Sequence, residues 1–223
     1  MKPRIAINGA ELGLLSSNTY VLEKTINMLE DGYIGDPRYP NLRYYTFIPN
    51  FPDYWDKYIF FHRSPRYNWN GTDAAGMAYP VPLSPQNISF MCPDTINIYV
   101  YRPIQESDID LMLKFNIYNE DGKLFYSASK LPLRIKTVLT DVPKINFNGP
   151  PKPVFGHENC MVMSQVTGVA ETGFFSIGYG YGISNDGALT RASFFSQFGG
   201  GESYDNDQGC IVAYAPDALP RWK

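Results

Sequence analysis

A chain of 223 residues with 44% apolar content is long enough for one large domain or two small ones, and its core-forming capacity excludes a disordered protein. Its 17 Tyr, 14 Phe and 3 Trp stand beside 19 Gly and 18 Pro, with charged residues at only 18%, a mixture that favours many short strands joined by tight turns. A net charge of −3 without a dense Lys/Arg cluster offers nothing to neutralise a phosphate backbone, so nucleic acid is not an expected partner.

The N-terminus has the basic start of a secretory signal but only a short apolar stretch before Asn8-Gly9, and no secretion signal is expected. Nowhere do about 18 apolar residues run together, so no membrane span is expected. Residues 4–7 read as a short strand ending at the Asn8-Gly9 turn. Residues 17–29 fit either a helix capped by Ser17 and stopped before Gly32, or strands around Thr19, Tyr20, Val21 and Leu22. The apolar stripe of Val21, Leu22, Ile26 and Leu29 is broken for a helix, and strand is the preferred reading.

From 36 to 85, Pro37, Pro40, Pro49, Pro52, Pro65, Pro80, Pro82 and Pro85 separate short aromatic runs at 44–48 and 58–61. Prolines at that density exclude long helices and confine strands to short or edge positions. Tyr54, Trp55, Tyr67 and Trp69 lie here, with Arg63, Arg66, Asn68 and Asn70 among them. Such rings either fill a β core poor in aliphatic residues or form contact surfaces for carbohydrate faces or protein partners.

Residues 96–101 form a convincing strand leading to the most informative stretch, 111–142. There Leu113, Phe115 and Ile117 alternate with Lys114, Asn116 and Tyr118, and Asn119-Glu120-Asp121-Gly122 turns the chain into a return strand at 123–126. After a Ser127-Ala128-Ser129 break, residues 131–139 supply a third extended run, completing a meander of about four strands. The wording FNIYNEDGKLFYSASKLPLRIKTVL over 115–139 resembles a pattern of small tail-tip and tail-fibre-associated virion proteins of tailed bacteriophages. The resemblance implies a component of the tail tip, baseplate or fibre attachment, made in the host cytoplasm and incorporated into the virion in several copies. The extra C-terminal segment departs from those small proteins and leaves the neighbouring subunit and copy number open.

The Pro-rich stretch 148–153 reads as a stiff linker and the best domain boundary. Beyond it Phe175, Ile177, Tyr179, Tyr181 and Ile183 alternate with Ser176, Gly178, Gly180, Gly182 and Ser184. One face of that strand is large and apolar while the other is bare, so a neighbouring backbone or ring, or a sugar, approaches the glycines closely. Ser184-Asn185-Asp186-Gly187 makes a hairpin turn into a strand at 188–198, and residues 210–214 form a last short strand.

Groups for chemistry are few. With only two histidines, neutral-pH bases are scarce, and His62 is read as the cap of an aromatic strand end. His157 and Cys160 have an H-x-x-C spacing without a second ligand pair, and Asp205-Asn206-Asp207 lacks the downstream Glu of a calcium loop, so no metal or cofactor is expected. Cys92, Cys160 and Cys210 are read as reduced, buried thiols. Asp108 and Asp110 share one face of any extended segment, but a hydrolytic pair is defined by its distance across a cleft, and nothing in their spacing raises them above chance.

The expected fold is all-β: an antiparallel β-sandwich, jelly-roll or Ig-like, over 1–147, a linker at 148–153 and a smaller C-terminal β-hairpin unit over 154–223. The expected function is non-enzymatic, protein–protein assembly with other phage tail or baseplate proteins as a homo-oligomer. The rival is a host-surface glycan or receptor-binding module, with Tyr54, Trp55, Tyr67, Trp69, Tyr179 and Tyr181 as contact residues.

Overall fold

The computed structural model describes residues 6–7, 10–11, 19–38, 40–51, 57–63, 78–84, 87–109, 115–119, 122–139, 154–165, 168–171, 176–196, 204–205 and 209–218. In chain order, β1 (Ala6–Ile7) and β2 (Ala10–Glu11) form a two-residue ladder. β3 (Tyr20–Asn27) ends in one helical turn, α1 (Met28–Asp31), capped by the Asn27 side chain, which accepts from the Leu29 N–H at 3.1 Å. Then come β4 (Tyr33–Ile34), β5 (Leu42–Phe47), β6 (Ile59–Arg63), β7 (Tyr79–Ser84), β8 (Asn87–Pro93) and β9 (Asn97–Pro103). The remainder are β10 (Asn116–Tyr118), β11 (Leu124–Ser127), β12 (Ile135–Leu139), β13 (Cys160–Met163), β14 (Gly168–Glu171), β15 (Ser176–Ile183), β16 (Leu189–Ser196), β17 (Tyr204–Asp205) and β18 (Cys210–Tyr214). The architecture is antiparallel and all-β, and residues 20–27 are strand, as the broken apolar stripe indicated.

A six-stranded sheet in the order β12-β18-β13-β6-β9-β3 is the centre of the molecule. Its two edges meet through one segment. Residues 131–133 pair antiparallel with β3, where the Leu22 N–H donates to the Leu131 carbonyl at 2.9 Å and the Leu133 N–H donates to the Tyr20 carbonyl at 2.8 Å. The same segment then pairs with β18, starting with the Tyr214 N–H donating to the Arg134 carbonyl at 2.9 Å. The sheet is thereby closed, with residues 131–139 as the seam strand.

Alternation explains the cores. Every strand of the closed sheet turns alternate residues inward: Tyr20 and Leu22, Ile59 and Phe61, Tyr99 and Tyr101, Met161 and Met163, Ile211 and Ala213, with Leu133 from the seam. Phe61 and Tyr101 meet edge to face at 5.9 Å inside. The intervening residues face outward and bury two further sheets. Ile26, Phe60, Ile98 and Val100 pack against Phe47, Ile88, Phe90 and Cys92 of the sheet β4-β5-β8-β7. Cys160, Val162, Cys210 and Val212 pack against Tyr181, Ile183 and Leu189 of the sheet β16-β15-β14-β17. Each such side chain contributes about 1.5–3 kcal/mol on burial. β7, carrying Pro80 and Pro82, occupies an outermost position, where missing ladder donors cost least.

Two expectations are corrected. β10 and β11 form the predicted hairpin, but as a separate two-stranded sheet, and the third run pairs with β18 instead of joining them. The meander also fails at β9, which lies between β6 and β3. Nor do the sheets divide at 148–153: β13 and β18, from beyond that stretch, stand between β12 and β6. β6 is buried along nearly all its length, so its backbone groups need ladder partners on both edges, and β13, with Val162 opposite His62, supplies one of them. Residues 148–153 themselves lie outside the described residues. All three cysteines are free and buried, as expected.

The turn at 184–187 is built as its residues dictate. Gly187 has φ 81°, its N–H donates to the Ser184 carbonyl at 3.0 Å, and the Ser184 hydroxyl donates to the Asp186 carboxylate. A Cβ on Gly187 would collide with the backbone of His157 and Glu158, 2.7 Å from the His157 carbonyl carbon. Gly122, at φ 74° in the β10–β11 turn, has open space there. Gly122→Ala therefore carries only the left-handed cost of about 1–2 kcal/mol, while Gly187→Ala adds the collision and is expected to cost at least about twice as much. Thermal unfolding of the two variants checks this, and equal losses would refute the steric assignment.

Candidate functional site

The densest polar cluster is built on β9. Ile98 and Val100 face the β4-β5-β8-β7 sheet, and Arg102, the next outward residue, carries a guanidinium where two apolar predecessors pack. A cation in that position needs carboxylates. One comes from a β-bulge: Leu22 pairs with Tyr101 and Lys24 with Val100, leaving Glu23 as the extra residue. Arg102 Nε donates to Glu23 Oε2 at 2.5 Å. The other comes from a short 3₁₀ turn, Glu106–Asp108, where Arg102 Nη1 and Nη2 donate to Asp108 Oδ2 and Oδ1 at 2.6 and 2.8 Å. That bidentate geometry is the strong form of an ion pair. The Arg102, Glu23 and Asp108 side chains are 6%, 5% and 4% exposed, so water does little of the screening.

The surroundings complete the charge pattern. The Gln105 N–H donates to Asp108 Oδ2 at 2.9 Å, and Lys130 Nζ lies 3.2 Å from Asp108 Oδ1. The Tyr58 hydroxyl donates to Glu23 Oε2 at 3.0 Å, and the Phe51 ring lies 4.5 Å from the guanidinium carbon. Burial by itself raises the Asp108 carboxyl, but the hydrogen bonds and charge of Arg102, with the Gln105 N–H and Lys130, outweigh it and hold the group below its ordinary 3.8. Burial and Glu23 push the Tyr58 hydroxyl upward. Asp108 is thus held ionised and Tyr58 protonated across the neutral range. Asp110 lies outside the described residues.

The other expected site residues are placed differently. Tyr54, Trp55, Tyr67 and Trp69 lie outside the described residues, as do Asn206 and Asp207. Tyr179 sits in β15 opposite Gly168 and Ser193, with only its backbone described. Tyr181 is corrected: it is 5% exposed and packs in the core against the closed sheet, because its face of β15 is the apolar one, so its ring is not a surface contact. Gly180 and Gly182 are buried. His62 is also corrected from strand-end cap to core residue: it is fully buried within β6, its Nδ1 2.8 Å from Ser164 Oγ. His157 is buried, with Nδ1 lacking a hydrogen-bond partner, and burial and the Lys136 charge hold its imidazole below its ordinary 6.5. Among the described residues no three His, Cys, Asp or Glu side chains are grouped to hold a metal.

Arg102, Glu23 and Lys130 escaped the sequence reading. The available signal was Arg102 itself, a permanent cation ending the apolar run of β9, which obliges a carboxylate to lie nearby. The chain matches no protein-family model, no curated protein and no solved structure. Among the described residues no helix is long and apolar enough to cross a membrane.

Replacing Arg102 by Met strands two buried carboxylates and is expected to lower stability at pH 7 by about 3–5 kcal/mol in urea unfolding. Because the folded-state pKa of Asp108 is depressed, its contribution is present above about pH 4 and is lost as pH falls through the folded value. Asp108→Asn is expected to destabilise at pH 7 and to flatten the fall in stability as pH drops below about 4. An unchanged acid limb would refute the assignment.

Proposed function

We propose that the protein is a structural component of a bacteriophage tail, in the tail tip, baseplate or fibre attachment, and that it acts by protein–protein assembly in several copies. The sequence resemblance over 115–139 motivates the tail setting. The observation that carries the assembly role is the exposure of Tyr33 and Ile34 on β4, the outermost strand of its sheet, and of Ile135 and Val138 on the seam strand β12, which beyond Arg134 has β18 as its described ladder partner. Their exposures of 57%, 45%, 49% and 57% put large apolar groups in water beside strand edges, where a second protein surface would remove them from it. A closed sheet backed by stacked sheets, a sandwich in its layering, provides a stiff body of the kind that surface complementarity requires.

Removing residues 149–223 would extract β13 and β18 from the central sheet, so substitution is the better probe. Light scattering coupled to size exclusion is expected to give a defined dimer or trimer for the unmodified chain. Val138→Lys or Ile34→Lys should shift it to the monomer with an unchanged circular dichroism spectrum, since both side chains are exposed. A monomer at every accessible concentration would overturn self-assembly, and an oligomer indifferent to both substitutions would overturn the edge assignment.

A further inference from the structure

The β10–β11 hairpin stands apart from the three larger sheets as a two-stranded unit. Such a hairpin is marginally stable alone. Among the described residues of the hairpin, Leu124 is the one fully buried apolar side chain, and the described hydrogen bonds and ion pair to the body converge on the Glu106–Asp108 turn. The Leu124 N–H donates to Glu106 Oε1 at 3.0 Å. The Ser127 and Ser129 hydroxyls donate to the Asp108 carbonyl at 3.5 and 2.6 Å, and Lys130 Nζ pairs with the Asp108 carboxylate at 3.2 Å. Beside Ser127, its cross-strand partner Asn116 has Oδ1 buried with no hydrogen-bond donor. A buried acceptor without a donor regains its hydrogen bond when water enters, so seating the hairpin carries a built-in cost.

We propose that this hairpin is a latched arm, which lifts from the body as a unit while the closed sheet stays folded. The Asp108 contacts to Ser129 and Lys130 are the latch, and the unsatisfied Asn116 is the load that favours release. Glu106 and Asp108 belong to one 3₁₀ turn, so a single element holds the return strand at Leu124 and the chain beyond it at 127–130. Arg102 fixes that turn to β9, leaving the latch anchored to the body when the arm moves. The device is independent of the assembly reading, because it rests only on how one chain holds its own hairpin.

Hydrogen–deuterium exchange on the full chain tests it, comparing a peptide over 115–128 with one over β9. The hairpin is expected to exchange at least about 100-fold faster than β9, the mark of local opening. Ser129→Ala with Lys130→Ala should speed hairpin exchange about ten-fold further and leave β9 unchanged, whereas Asn116→Val should slow it. Equal rates in the two peptides would overturn the arm, as would variants that move both peptides together. A double variant without effect would overturn the latch, and Asn116→Val failing to slow exchange would overturn the load.

Discussion

Backbone pairing of residues 131–133 with β3 is the constraint on which the rest of the molecule depends. It joins the two edges of the central sheet through one seam strand, so the inward side chains of all its strands share one enclosed interior. Closure also fixes which residues face outward. On β6, Ile59 and Phe61 point in while Phe60, like Tyr58 just before the strand, serves the outer core; a one-residue slip would exchange them and expose both clusters. The two flanking sheets are therefore held in place by a parity that the seam enforces.

The Arg102 cluster uses a place where that parity is broken. In a regular ladder the residue between Leu22 and Lys24 would take its place opposite β9; at the bulge Glu23 is released from pairing and meets Arg102. The pair is buried at a desolvation cost that ideal geometry only partly offsets, so net stabilisation is not its main contribution. Its contribution is location. It ties β3 and β9 to the Glu106–Asp108 turn, and through Asp108 to Lys130, just ahead of the seam. The strongest electrostatic contacts and the closure of the sheet thus lie within a few residues of one another along the chain.

Local chemistry was legible in the sequence. The Gly122 N–H donates to the Asn119 carbonyl and the Gly187 N–H to the Ser184 carbonyl, both glycines have positive φ as their turns specify, and β7 with its prolines sits at an edge. The alternation of β15 correctly marked an apolar face, but the reading of Tyr181 as a surface contact overlooked that such a face is the one a core takes. Pairing partners were not legible. Alternation reports which way side chains point and carries no information about the neighbouring strand, so β12 was assigned to the hairpin before it although its ladder is with β18. Prolines that cannot ladder mark a break in pairing, but a break in pairing does not decide whether the strands on either side of it join one sheet, as β12 and β13 do here. Glu23 was hidden for the same reason: a bulge is a property of two strands together.

The strand order has a consequence for how the molecule forms. β18 stands between β12 and β13, and it is the last strand among the described residues. Until residues 210–214 pair, β12 has no neighbour on that side, β13 is open on one edge, and the interior cluster lacks Ile211 and Ala213. The closed sheet consequently depends on contacts between residues far apart in sequence, the class that forms slowly because loop entropy is lost before any ladder is gained. During that interval the apolar edges are open to other chains. Completion of the ring converts an aggregation-prone open sheet into a body whose ladder groups are paired around the sheet, which leaves the exposed apolar side chains of β4 and β12 on a fixed framework.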